Sequence, residues 1–242
     1  MIDLNHAKET GVSVHINHHI DAAMLAKPQE QRKYLGASML GDPCARKIQY
    51  SYLHTEIDPG AGFSAQTLRI FQVGHMLEEA IIKWFRQAGF DLRNQKKNGE
   101  QFGFSIADDQ IQGHIDGVLV GGPEGVHYPA LWECKTMKNT KFNAFVKYGI
   151  AKANPQYYTQ INLYQAYMDL TDNPTIFTAI NKDTAEIYHE AVPFNSQVAQ
   201  ETSDKAVRVI QAGSQMLPRV SDDPSYFCCN WCDYRRRCHE FN

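Results

Sequence analysis

Residues 130–136 read Ala-Leu-Trp-Glu-Cys-Lys-Thr, and no other run constrains the fold of this chain as tightly. The apolar start predicts a buried strand, where an unpaired carboxylate or ammonium group is costly. Residues two apart on a strand share a face, so Glu133 and Lys135 project together while Cys134 projects the other way. A surface ion pair would carry the same triplet, and the spacing alone is weak evidence. The apolar flank favours a buried site. Asp116 lies far enough upstream for a strand, a turn and a return strand, so neighbouring strands would bring Asp116, Glu133 and Lys135 into one pocket. Hard oxygen ligands of this kind suit Mg²⁺ or Mn²⁺.

The surrounding pattern is that of an α/β protein with a mixed central sheet flanked by helices. The first ~18 residues lack periodicity and read as an arm. Residues from about Ile20 to His54 read as helical, broken near Gly41-Asp42-Pro43. A helix follows over Ser64–Gln87, with Ile70, Val73, Leu77, Ile81 and Trp84 spaced as one buried face. Gly89 suits its end. Four short strands come next, FDLRNQ, QFGFSIA, IQGHIDGVLV and ALWECKT, separated by turn-rich stretches. Helices are predicted around Lys141–Tyr148 and Gln156–Leu170, then strands PTIFTAIN and AEIYHEA, then a helix from Ser196 to Met216. Three regions result: an N-terminal helical part over 1–63, a core over 64–220 and a cysteine-rich segment over 221–242.

In the 242 residues, the 43% hydrophobic and 21% charged share allows a core built without disulfides. The net charge of -3 offers no global attraction for nucleic acid, so any such binding needs a local basic surface. The start of the chain shows no secretory signal and no run approaches ~18 apolar residues, so a cytoplasmic protein without membrane contact is expected, in a bacterial, archaeal or phage-infected cell. In that reducing setting the six cysteines favour metal binding over disulfides.

Gly113-x-x-Asp116 followed by a strand carrying Glu133-x-Lys135 resembles the PD-(D/E)XK nuclease superfamily. Gln160 and Tyr164, one helical turn apart, reproduce the Q-x-x-x-Y motif of its RecB-like exonuclease branch, and Gly74 and Glu78 resemble the upstream helix motif G-x-x-x-[H/E]. The resemblance implies a restriction-endonuclease-like core. It makes Asp116, Glu133, Lys135, Gln160 and Tyr164 the catalytic set and Glu78, Asp116 and Glu133 the metal ligands. Many members carry histidine where this chain has Glu78; His75 is read as a solvent-facing residue, and His114 as pointing away from Asp116.

Cys229-x-x-Cys232 has the spacing by which two thiolates grip one metal, and Cys238 follows closely. With Cys44 as the fourth, the pattern resembles the iron–sulfur CRISPR-associated and AddB-type nucleases, in which a cluster clasps the N- and C-terminal parts around the core. The resemblance implies a [4Fe–4S] cluster; structural Zn²⁺ is the alternative, and Cys228 could replace Cys229. Cys134 reads as a core thiol.

For DNA contact, Lys138, Lys141, Lys147, Lys152 and Arg235–Arg237 are candidate phosphate ligands, and Tyr157, Tyr158 and Trp231 candidate stacking platforms. The expectation is a metal-dependent exonuclease acting on single-stranded DNA or duplex ends in recombination, repair or CRISPR adaptation, with any helicase a separate partner. An endonuclease with the same core, or a metal-clasped DNA-binding module without hydrolysis, are the rivals.

Overall fold

A computed structural model describes residues 11–27 and 32–240. Its centre is a five-stranded mixed sheet of β2 (Asp91–Arg93), β5 (Gly117–Gly121), β6 (Ala130–Met137), β7 (Thr175–Asn181) and β8 (Ile187–Val192), in that order. Only β6 and β7 are parallel, with Glu133 opposite Phe177 and Met137 opposite Asn181; the other pairs are antiparallel. A smaller sheet joins β1 (Leu35–Gly36), β4 (Ile111–His114) and β3 (Gly103–Ile106).

Helices cover both faces. On one, α3 (Ala65–Gln87) packs Ile81 and Ile82 against Trp132, Cys134 and Leu119. Ser64 caps α3 by accepting the Thr67 amide at 3.1 Å. On the other face, α6 (Pro155–Tyr167) sets Leu163 and Tyr164 against Leu131, Ile115 and the α7 (Ser196–Ala212) residues Ala206 and Val209. Asn154 caps α6 and Pro155 occupies its first position, where a missing amide costs nothing. Between them, α4 (Asn139–Tyr148) and the short α5 (Ile150–Ala153) close a third apolar group around Phe145, Ile161 and Phe177. The alternating outlook of β6 thus feeds two cores: Trp132 and Cys134 one, Leu131 the other.

Several boundaries differ from the sequence expectation. Residues 1–10 of the expected arm lie outside the described residues, but 12–18 belong to a helix, α1 (Val12–Leu25), which rests on α3 through an ion pair between Asp21 and Arg69. The region read as one interrupted helix contains β1, a 3-10 turn over Ala37–Met39 and α2 (Ala45–Tyr52). Leu35 and Gly36 are drawn into strand by pairing with Ile111 and Gln112, a long-range contact that local periodicity does not encode. IQGHIDGVLV splits into β4 and β5, which enter different sheets with Ile115 and Asp116 at the corner. On α3 the buried stripe is Ile81 and Ile82 with Leu77 and Phe85 beside them, while Ile70 is 50% exposed and Val73 and Trp84 are also exposed. The N-terminal half of α3 overhangs a cavity instead of the sheet.

Candidate active site

The corner between β4 and β5 delivers Asp116 to β6. Gly117 pairs with Trp132, and Asp116 Oδ2 accepts the Cys134 amide at 2.8 Å, fixing the carboxylate against the strand. Gly113 is needed nearby for packing: a Cβ there would stand 2.5 Å from the Phe104 ring and 3.0 Å from that of Tyr164.

Glu133 is fully buried. Its Oε1 accepts hydrogen bonds from Lys135 Nζ and, at 3.0 Å, from Gln160 Nε2, while its Oε2 is buried with no hydrogen-bond partner. Lys135 Nζ also donates to the Cys134 carbonyl at 3.1 Å and stands 3.5 Å from Asp116 Oδ2 and 5.5 Å from the centre of the Tyr157 ring. Tyr164 lies one turn beyond Gln160 on α6, and its ring meets Phe104 edge-on. From the opposite side of the sheet, α3 brings Glu78, whose charge is felt at Asp116 and Lys135.

The electrostatics follow from three carboxylates around one ammonium. Burial, then the Asp116 charge, pushes Glu133 up to about 8 despite Lys135. Burial and Asp116 push Glu78 up to about 7. Burial alone would lower Lys135, but the Asp116 and Glu133 carboxylates outweigh it and hold the ammonium well above its ordinary value. Burial also raises Tyr164 and Cys134, so both stay protonated at neutral pH.

A cavity of about 800 Å³ runs from Lys135 and Glu78 along the N-terminal half of α3 to Lys138, Lys141 and Lys182. Tyr157 lines it; Lys147 and Lys152 do not, each lying 5.1 Å from the Tyr148 ring. Tyr158 is engaged elsewhere, its hydroxyl accepting Asn195 Nδ2 at 3.4 Å. His75 is 79% exposed, 4.0 Å from Glu78, and His114 is exposed. Arg69 and Lys182 went unnoticed in the sequence. Lys182 directly follows β7, so the parallel pairing of Met137 with Asn181 was the one signal that could have placed it beside Lys138.

The cysteines form a second group. Cys44, at the N-cap of α2, lines one small cavity with Cys228, Cys229, Cys232 and Cys238, from α8 (Phe227–Asn230), the turn after it and α9 (Arg235–Glu240). The buried amide of Gln49 binds the carbonyls of Gly213 and Gln215 and the amide of Leu217, and Asp58 accepts the amides of Arg236 and Arg237. These contacts hold the C-terminal segment on α2. Arg235 lines the small cavity, Arg236 pairs with Glu240 at 3.1 Å, and Arg237 Nε donates to the Glu56 carbonyl; none of the three lines the larger cavity. Trp231 is 85% exposed, and Cys134 is buried in the sheet core. Among the described residues, no three His, Cys, Asp or Glu side chains already form a metal-binding group, in either place.

No family model matches the chain, and none of the curated proteins does. Solved structures match in fold. An alkaline exonuclease (LHK-Exo) from Laribacter hongkongensis superposes with a TM-score of 0.51 at 15% identity, covering 80% of this chain and 91% of that one. LHK-Exo in complex with dAMP gives 0.50 at 13% identity, covering 93% and 98%. The structure of SSO0001 gives 0.46 at 13% identity, covering 93% and 94%. At such identities the likeness is one of fold: this mixed α/β chain is built like the alkaline exonuclease. No described helix is long and apolar enough to cross a membrane.

Proposed function

We propose that this chain is a divalent-metal-dependent DNA nuclease of the PD-(D/E)XK type, of the RecB-like branch, removing nucleotides from DNA ends. The observation that carries the reading is the meeting of Asp116, Glu133 and Lys135, with Lys135 and the neighbouring Glu78 lining a cavity of about 800 Å³. The likeness to an exonuclease fold, one of whose structures holds dAMP, supports it.

The residues present fit Mg²⁺ or Mn²⁺. Their donors are hard carboxylate oxygens, Glu133 Oε2 is buried without a partner, and burial and the Asp116 charge push Glu133 and Glu78 toward protonation, which a bound cation would oppose. Asp116, Glu133 and Glu78 would hold the ion. The chemistry such an ion supplies, when bound, is polarisation of a phosphate and acidification of a water. The protein does the positioning. Gln160 fixes Glu133 Oε1 and leaves Oε2 free, Tyr164 packs beside them against Phe104, and the Cys134 amide fixes Asp116 Oδ2. Lys135 stays cationic, orients water or offsets charge developing on the phosphate, and balances the carboxylates. The cysteine cavity is proposed to hold a [4Fe–4S] cluster, with Zn²⁺ the rival, through Cys44, Cys232, Cys238 and Cys229 or its neighbour Cys228.

End-labelled linear and closed circular DNA, incubated with and without Mn²⁺, test the reading. Degradation of linear DNA alone is expected; cutting of circles would establish an endonuclease, and no cutting of either would reject hydrolysis. Asp116→Ala should lose tight Mn²⁺ binding and cleavage together. Lys135→Ala should lose cleavage and keep Mn²⁺ binding, and cleavage by it at the parent rate would remove Lys135 from the chemistry.

A further inference from the structure

The cavity has two unlike walls. Along one, α3 presents an exposed apolar stripe, Ile70, Phe71 and Val73, flanked by Gln66 and His75, and Gly74, where an added Cβ would meet nothing within 4 Å. The cation on that wall, Arg69, is ion-paired with Asp21. The other wall ends in Lys138, Lys141 and Lys182, all exposed. Lys138 and Lys182 follow the paired ends of β6 and β7, and the Lys182 amide donates to the Met137 carbonyl at 2.9 Å. Lys141 lies one turn into α4, on the same side as Lys138. Buried Asn181 pins this corner by donating to Asn139 Oδ1 at 2.9 Å, and the Asp183 carboxylate beside Lys182 is turned to the Asn139 amide at 2.7 Å.

A single nucleic-acid strand presents bases to one side and phosphates to the other, whereas a duplex presents phosphates to both walls of any groove that encloses it. Cations facing an apolar wall therefore match one strand. The spacing agrees. Lys138, the extended residue just past the end of β6, is three residues beyond Lys135, about 10 Å at ~3.3 Å per residue, so the lysines reach a phosphate roughly one or two nucleotides from the bond at Lys135. A volume of about 800 Å³ lies within the range of a small-ligand pocket.

We infer that Lys138, Lys141 and Lys182 form a backbone-phosphate subsite that holds a single strand beyond the reacting bond, with its bases against Ile70, Phe71 and Val73. The inference rests on the nuclease reading above and names the form of substrate that site takes. The lysines bind without regard to sequence, since they meet phosphate.

The test is binding without divalent metal, by fluorescence anisotropy over a range of salt, to single-stranded oligothymidylate, to its all-methylphosphonate analogue and to a blunt duplex. The parent is compared with the double variant Lys141→Ala/Lys182→Ala and with Lys147→Ala/Lys152→Ala, which removes the same charge outside the cavity. The parent should prefer the single strand to the duplex. The cavity variant should bind the charged strand several-fold more weakly, with a salt slope shallower by about 0.7 for each phosphate no longer neutralised. Its binding to the neutral analogue should equal the parent's, and the outside variant should behave as the parent. Equal weakening in both double variants, equal weakening on the neutral strand, or a duplex bound as well as the single strand would overturn the subsite. Mn²⁺-dependent cleavage is scored separately. Expected binding with no cleavage sinks the nuclease reading and leaves the subsite, whereas cleavage with unaltered binding in the cavity variant sinks the subsite alone.

Discussion

Glu133→Gln should make the metal-free protein less sensitive to pH, and the size of the effect follows from the burial of Glu133. In the folded state Glu133 is pushed from 4.5 up to about 8 by burial and by Asp116. Between those values the folded protein keeps a proton that the unfolded chain releases, so stability falls as pH rises through the window. Each pH unit over which one such proton is retained is worth about 1.4 kcal/mol, and integrated from pH 5 to 8 the loss is about 3.5 kcal/mol. For a chain of this length that corresponds to on the order of 7–14 °C in melting temperature. Glutamine has nearly the same shape and does not titrate, so the variant's melting curve should be flatter by that amount. Glu78, pushed to about 7 mainly by burial and Asp116, leaves a residual slope of the same sign in the variant. Lys135 stays charged throughout and contributes none. Thermal melting in chelator from pH 5 to 8 measures the difference, and saturating Mn²⁺ should flatten the parent as well. A parent that melts at one temperature across that range, or a variant with the parent's slope, would refute the picture of a buried acid held protonated for lack of a cation.

Gly74→Ala separates the stability of α3 from the use of its exposed face. The added methyl meets nothing, so the helix should gain roughly 0.5–1 kcal/mol, read as a higher melting temperature, while oligonucleotide affinity drops because the apolar wall advances toward the strand; unchanged affinity would move the strand away from this wall. Cys232→Ser should lower the iron or zinc content of the purified protein and destabilise it by more than the ~1 kcal/mol of an ordinary substitution, with faster proteolysis of residues 221–240. Unaltered metal content and melting would dismiss the clasp, and stoichiometric zinc without iron would replace the cluster.

What the sequence discloses about this site depends on how local each constraint is. β6 is legible from its apolar start, and its site residues Glu133 and Lys135, like Gln160 and Tyr164 of α6, are set on one face by the repeat of a single strand or helix. Their meeting required only that α6 cover the face of the sheet bearing Leu131, as Leu163 and Tyr164 do. The corner at Asp116 was less legible. The apolar residues of IQGHIDGVLV suit a strand on either side of it, and the break comes from β4 pairing with β1 and β3 while β5 pairs with β6.

The apolar spacing of α3 misled for a different reason, and that reason bears on function. Ile70 and Val73 continue the helical repeat of Leu77 and Ile81, yet the sheet they would pack against has been left behind at that end of the helix. A period of 3.6 residues reports that one stripe is apolar, and says nothing about whether protein or ligand covers it. Burying a side chain of this size is worth about 1.5–3 kcal/mol, so leaving Ile70, Phe71 and Val73 exposed forgoes stability the fold could have used. The same stripe shares its cavity with Lys138, Lys141, Lys182, Lys135 and Glu78. The proposed complex would relieve both this exposed apolar stripe and the buried Glu133 Oε2 that lacks a donor: bases would cover the first and a cation would neutralise the second.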